Sequence, residues 1–99
     1  MTKRELGDVA TRLLLENHKV KIWELNLEPG QASDWHQHSM DYITVTLEGS
    51  HMQVDYDDGT SKETDPKPGK WRFAESQSVH QASNIGDTRY RNILIELKN

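Results

Sequence analysis

Apolar and polar residues alternate along this chain in short runs, separated by turn residues at roughly the eight-to-twelve-residue spacing of all-β proteins. Over residues 20–27 the alternation is clean. Val20, Ile22, Glu24 and Asn26 fall on one face, and Lys21, Trp23, Leu25 and Leu27 on the other, which is the period of a strand. A strand is expected before it at 12–16, with Asn17-His18 as the turn, and Glu28-Pro29-Gly30 predicts a type II turn. Residues 42–47 form the run richest in β-formers, and Gly49 ends it. Residues 51–56 close on Asp57-Asp58-Gly59, a hairpin signal, with 60–64 as the returning strand. Asp65-Pro66-Lys67-Pro68-Gly69 predicts a rigid loop that no central strand crosses. Strands at 71–73, 79–84 and 90–97 complete the set, the last two joined through Gly86-Asp87. Residues 1–10 read as a polar lead, and 11–99 as one domain. Eight or nine short strands without a helical period predict an all-β antiparallel sandwich or barrel.

Composition narrows the setting. Of 99 residues, 33% are hydrophobic and 28% charged, which closes a small β-core but is meagre for a monomer. A homodimer paired through sheet edges is the expected assembly. The formal charge of −4, with cations scattered among acids, argues against nucleic acid as a partner. The absence of cysteine removes disulfides and thiolate metal sites, leaving imidazole and carboxylate as ligands. No segment has the apolar length of a secretory core or a membrane span, so a cytoplasmic protein that does not engage a membrane is expected.

The chemistry concentrates in two blocks. The first runs Gly30, five residues, His36, one residue, His38, three residues, Tyr42, six residues, Gly49. The second runs Gly69, five residues, Glu75, one residue, Gln77, two residues, His80, three residues, Asn84. Two histidines one residue apart share a face on a strand, with Cα atoms roughly 6–7 Å apart. His80 on an antiparallel neighbour would meet them.

These blocks resemble the two motifs of the cupin superfamily. Gly30, His36, His38, Gly49, Gly69, His80 and Asn84 match at the family's spacing. The resemblance implies a single-domain cupin-type jelly-roll β-barrel in which His36, His38 and His80 hold one divalent transition metal. Tyr42 stands where the family places a metal-binding glutamate, and Glu75 and Gln77 replace a proline and a glycine that shape a turn. The run from His36 to Tyr42, with Gly86-Asp87 and the closing Ile93-Leu94-Ile95-Glu96-Leu97, is similar to small bacterial cupins, some named as beta-alanine degradation proteins.

Three imidazoles capping one side of an ion suit Fe, Zn, Ni, Cu or Mn and leave two or three positions open. Without a carboxylate the ion keeps its full +2 charge, which favours anionic or chelating oxygen ligands. Tyr42 either fills the barrel or brings its hydroxyl to the site. Glu96 alternates with Asn92 and Leu94, so its carboxylate either enters the barrel as an acid or base or faces solvent. Gln53 and Arg72 are weaker candidates for lining the pocket. Asn84 is expected to satisfy backbone groups at a strand end, His18 and His51 to lie at the surface, and Trp23, Trp35 and Trp71 to pack. The leading functional expectation is dioxygenase-like oxidation of a small oxygenated acid or diketone, with Tyr42 and Glu96 polarising the substrate. A non-catalytic protein that senses or stores a ligand or metal is the first alternative, and a metal-assisted isomerase or lyase the second.

Overall fold

The computed structural model describes residues 5–76 and 79–98. Gln77, which replaces a turn-shaping residue of the second block, and the first four residues of the lead lie outside these. Eight strands follow one another: β1 (Arg12–Glu16), β2 (Val20–Leu27), β3 (Tyr42–Glu48), β4 (Met52–Tyr56), β5 (Ser61–Thr64), β6 (Trp71–Ala74), β7 (His80–Asn84) and β8 (Tyr90–Leu97). Each expected run forms its strand, with ends moved by no more than one residue.

The strands build two antiparallel sheets, one in the order β1-β2-β8-β3-β6 and the other β5-β4-β7. The long β2–β8 pair sets the larger sheet. Its register runs from Val20↔Leu97 to Leu27↔Tyr90 without interruption, and burial alternates along both strands, so a one-residue slip would exchange their inner and outer faces. Trp23, Leu25 and Leu27 of β2 and Tyr90, Asn92, Leu94 and Glu96 of β8 are buried on the inner face. On β3, Tyr42 and Thr46 continue that face, opposite Glu96 and Asn92.

The opposite face of this sheet is apolar too. Leu15, Ile22, Ile95, Ile43 and Phe73 lie in one registered row across all five strands. Leu15 is 47% exposed and Phe73 52%. Trp71, expected to pack, is 69% exposed one row away. Trp23 meets the expectation and is buried.

Residues 30–36 form no regular strand, yet they run beside β7 as an irregular fourth neighbour of the smaller sheet. Gly30 N–H donates to the Asn84 carbonyl at 2.9 Å, Ser33 N–H to Ala82 at 2.8 Å, and His36 and His80 exchange bonds. Gly30 and Gly69 take φ of +88° and +87°, the left-handed turns that launch the two sequence blocks. Asn84, among the most buried residues, ties three connections together. Its Nδ2 donates to the carbonyls of Leu27 and Thr88 at 2.9 and 2.8 Å, while its Oδ1 accepts from Ser50 Oγ and Gly86 N–H. This is the backbone-satisfying role expected of it.

Among the described residues, nine buried hydrophobic side chains share the interior with nine buried polar or charged ones. An interior that polar is costly unless its groups are paired or used. Most of the polar set sits where the sheets face each other around the histidines.

Candidate metal centre

His36 lies opposite His80 in an isolated antiparallel bridge. Each donates its backbone N–H to the other's carbonyl at 2.9 Å, so the two side chains leave the backbone on the same face. Gln37 is exposed while His36 and His38 are buried, which preserves the period of two without a full strand. The three ring centroids stand 4.9 Å apart for His36–His38, 4.5 Å for His36–His80 and 5.2 Å for His38–His80. One nitrogen from each ring lies within 4.8 Å of the other two. Among the described residues no carboxylate joins this group.

Burial favours the neutral, ligand form of His36 and His38. Burial lowers the pKa of His36, opposed by its bond to Asp34. His38 is pushed down to about 3, first by burial and then by the neighbouring charges of His36, His80 and Arg72. His36 Nδ1 sits 2.7 Å from the Asp34 carbonyl, an acceptor only, so Nδ1 carries the proton and Nε2 keeps the lone pair. Such a second bond is what orients metal-bound histidines. His38 Nδ1 is buried with no hydrogen-bond partner among the described residues, a loss of about 1–3 kcal/mol if nothing engages it. A preorganised tautomer, an orphaned ring nitrogen and a nitrogen-only donor set all fit Fe, Zn, Ni or Mn.

Tyr42 is brought to the site. Its ring stacks on His38 at 3.9 Å with 19° between planes, and burial raises its pKa. Glu96 also points inward and is 3% exposed, but its carboxylate accepts a 2.7 Å hydrogen bond from Trp23 Nε1. It lies beside the cavity without lining it. Gln53 turns away to Asp55. His51 is exposed and pairs with Glu63 at 2.7 Å, and His18 is exposed in its turn.

The histidines and Tyr42 open onto a cavity of about 490 Å³ walled by Leu25, Met52 and Leu94, a volume suited to a small molecule. Lys62, Lys70 and Arg72 stand on its lining as well. Of these only Arg72 was visible from sequence, as a minor candidate. Lys62 carried a signal in its parity, since it shares a face of β5 with Thr64 and lies opposite Val54, which also lines the cavity.

No family model matches the chain, and no curated protein does. Among solved structures it is similar to a cupin domain from Bordetella pertussis Tohama I, 28% identical, covering 100% of both chains with a TM-score of 0.82. It is also similar to a cupin superfamily protein from Desulfitobacterium hafniense DCB-2, at 16% identity and a TM-score of 0.67 over 99% of this chain and 84% of that one. A Cupin 2 conserved barrel domain protein from Salinispora arenicola CNS-205 matches at 18% identity and a TM-score of 0.68, over 97% and 82%. The two lower identities carry the fold alone. The all-β domain of two antiparallel sheets therefore matches cupin structures, as the two sequence motifs implied. The narrower likeness to beta-alanine degradation proteins is not shown by these matches.

Proposed function

We propose that this small cupin-domain protein binds one divalent transition metal through His36, His38 and His80 and acts on a small oxygenated molecule in its barrel. The reaction class is dioxygenase-like oxidation, with iron(II) as the metal. The observation that carries the reading is the convergence of three buried histidine nitrogens within 4.8 Å, joined by no carboxylate among the described residues. A bound ion would supply Lewis-acid charge and open positions for a chelating oxygen ligand. The chain's own residues do the rest. The Asp34 carbonyl holds His36 in one tautomer, Tyr42 braces His38 through the ring stack, and the walls of Leu25, Met52 and Leu94 limit water around the reacting centre.

One observation favours the second reading, a protein that binds ligand or metal without turnover. Glu96, one of two expected acid–base groups, is committed to Trp23, which leaves Tyr42 as the remaining one. The test is elemental analysis of untagged protein and of His36→Ala, followed by oxygen uptake with iron(II) and small keto acids. About one metal per chain, lost in His36→Ala, is the expected result; unchanged occupancy in the variant overturns the site. Metal without oxygen uptake rejects the dioxygenase and leaves the binding protein.

A further inference from the structure

The chain as a whole is acidic, at −4, but its cavity is not. Among the described residues, the charged side chains on the cavity lining are Lys62, Lys67, Lys70 and Arg72 against a single acid, Asp65. Asp65 is taken by Lys67 at 3.1 Å. Among the described residues no carboxylate lies within ion-pair distance of Lys62, Lys70 or Arg72. The cavity therefore reverses the sign of the chain that encloses it.

The strand geometry aims this charge inward. On β6, Trp71 and Phe73 are exposed on the outer face, so Arg72 and the buried Ala74 belong to the inner one. Arg72 lies opposite Thr44, and Ala74 opposite Tyr42, both of which line the cavity alongside the histidines. Beyond the burial that dominates those two groups, the Arg72 charge acts on both His38 and Tyr42. Lys62 reaches the same cavity from β5 of the other sheet.

We propose that the cavity takes a small organic anion, a keto-, hydroxy- or dicarboxylic acid, with Arg72 binding its carboxylate at the mouth and a second oxygen function turned toward the three histidines. The part assigned to the histidines rests on the metal reading above; the part assigned to Arg72 does not. Unpaired cations around a partly apolar cleft focus positive potential and draw anions in. A guanidinium matches a carboxylate with two parallel hydrogen bonds, which a ketone oxygen cannot reciprocate. A neutral diketone would fill the same volume and leave Arg72 unpaired. Of the two substrate classes that a chelating site admits, the acid is the one this lining selects.

Malonate and acetylacetone make the test direct, because both are short 1,3-dioxygenated chelators and differ chiefly in charge. Binding is measured by calorimetry on metal-free and zinc-loaded protein, for the wild type, Arg72→Gln and Lys62→Gln. Arg72 and Lys62 are exposed residues, so the variants are expected to fold, and circular dichroism and zinc content verify it. Malonate should bind at least about tenfold tighter than acetylacetone, and R72Q should lose at least about that factor for malonate alone. Lys62→Gln should lose a smaller part of malonate affinity and make it less sensitive to salt. Zinc content should be unchanged in both variants. Equal malonate affinity in R72Q, acetylacetone binding as tightly as malonate, or no malonate binding to the wild type overturns the proposal. A wild type that holds no zinc defeats the metal reading instead, and the malonate comparison on metal-free protein still decides the role of Arg72.

Discussion

His36 and His80 exchange both of their backbone N–H···O=C bonds at 2.9 Å, although 44 residues separate them and His36 belongs to no regular strand. The ligand pair is thus anchored by main chain rather than by side-chain packing. His36→Ala should keep this pairing and remove only the imidazole. The wild type is expected to gain about 2.7 kcal/mol from zinc or nickel at a hundredfold excess over Kd, seen as a melting-point rise of roughly 10 °C or more. The variant should melt close to the metal-free wild type and show no comparable rise. A rise of equal size in both proteins would place the metal elsewhere.

The metal-free protein should lose stability as the pH falls below about 6.5. His38 has a folded pKa of about 3 against 6.5 in its ordinary state. Between these values the unfolded chain binds a proton that the folded chain refuses, so stability falls with falling pH, by up to about 1.4 kcal/mol per unit. His36 shifts in the same direction and adds to the slope. Above about pH 7.5 both imidazoles are neutral in either state and their contribution is flat. Urea titrations at pH 5, 6 and 7.5 measure the slope, and His38→Gln should make it shallower by about one proton. An identical slope in the two proteins would show that His38 is protonated in the fold.

Most of the architecture was legible because the strands are short and half-buried, so their period of two is written directly in residues such as Trp23, Leu25 and Leu27. The histidine cluster was legible for the same reason, through the spacing of His36 and His38 and the second block around His80. What was not legible depends on which sheet face meets which neighbour. The parity of Glu96 left it either inward or solvent-facing, and only the β2–β8 register buries it and sets Trp23 beside it to engage the carboxylate. Trp71 reads as a packing residue until β6 proves to be a sheet edge with its outer face open. The basic lining was hidden because Lys62 and Arg72 come from different sheets and meet only around the cavity.

Asn84→Asp should be among the most damaging single-atom changes in this fold. It replaces the Nδ2 donor, 2.9 and 2.8 Å from the Leu27 and Thr88 carbonyls, by an oxygen facing two acceptors. Two lost bonds and a buried unpaired charge cost about 3 kcal/mol or more, lowering the melting temperature by more than about 10 °C. Ser50→Ala removes one donor to the same side chain and should cost about 1 kcal/mol. Thermal melts of the two variants give the comparison; similar midpoints would refute the network account.

The Trp23–Glu96 bond predicts a rescue. Trp23→Phe leaves the buried Glu96 carboxylate without its indole donor, at about 2–3 kcal/mol. Glu96→Gln keeps an acceptor for Trp23 and should cost less. Combining Trp23→Phe with Glu96→Leu removes both polar partners, and the double variant should be more stable than Trp23→Phe alone. Chemical denaturation of the three proteins reads this order. A double variant less stable than Trp23→Phe would mean that the carboxylate has another structural role.

The outer face of the five-stranded sheet predicts association with a second copy of this chain, through the face rather than through the edges expected from sequence. The row Leu15, Ile22, Ile95, Ile43 and Phe73, with Trp71 beside it, spans five strands, about 24 Å. Taken over three such rows it offers about 500 Å² per copy, or about 1,000 Å² per pair, near the threshold for specific association. The charges at its margin suit a like partner. Arg12 and Arg91 bind Glu24, and Arg89 and Arg91 bind Glu48, so two copies meet without a net like-charge clash. Dissociation in the micromolar range follows from an interface this small. Sedimentation of the wild type should show the mass of two chains giving way to one on dilution. Phe73→Lys and Trp71→Glu, both at exposed positions, should yield folded monomers that keep the metal. A wild type that stays monomeric at high concentration, or a dimer untouched by both substitutions, would rule out this face.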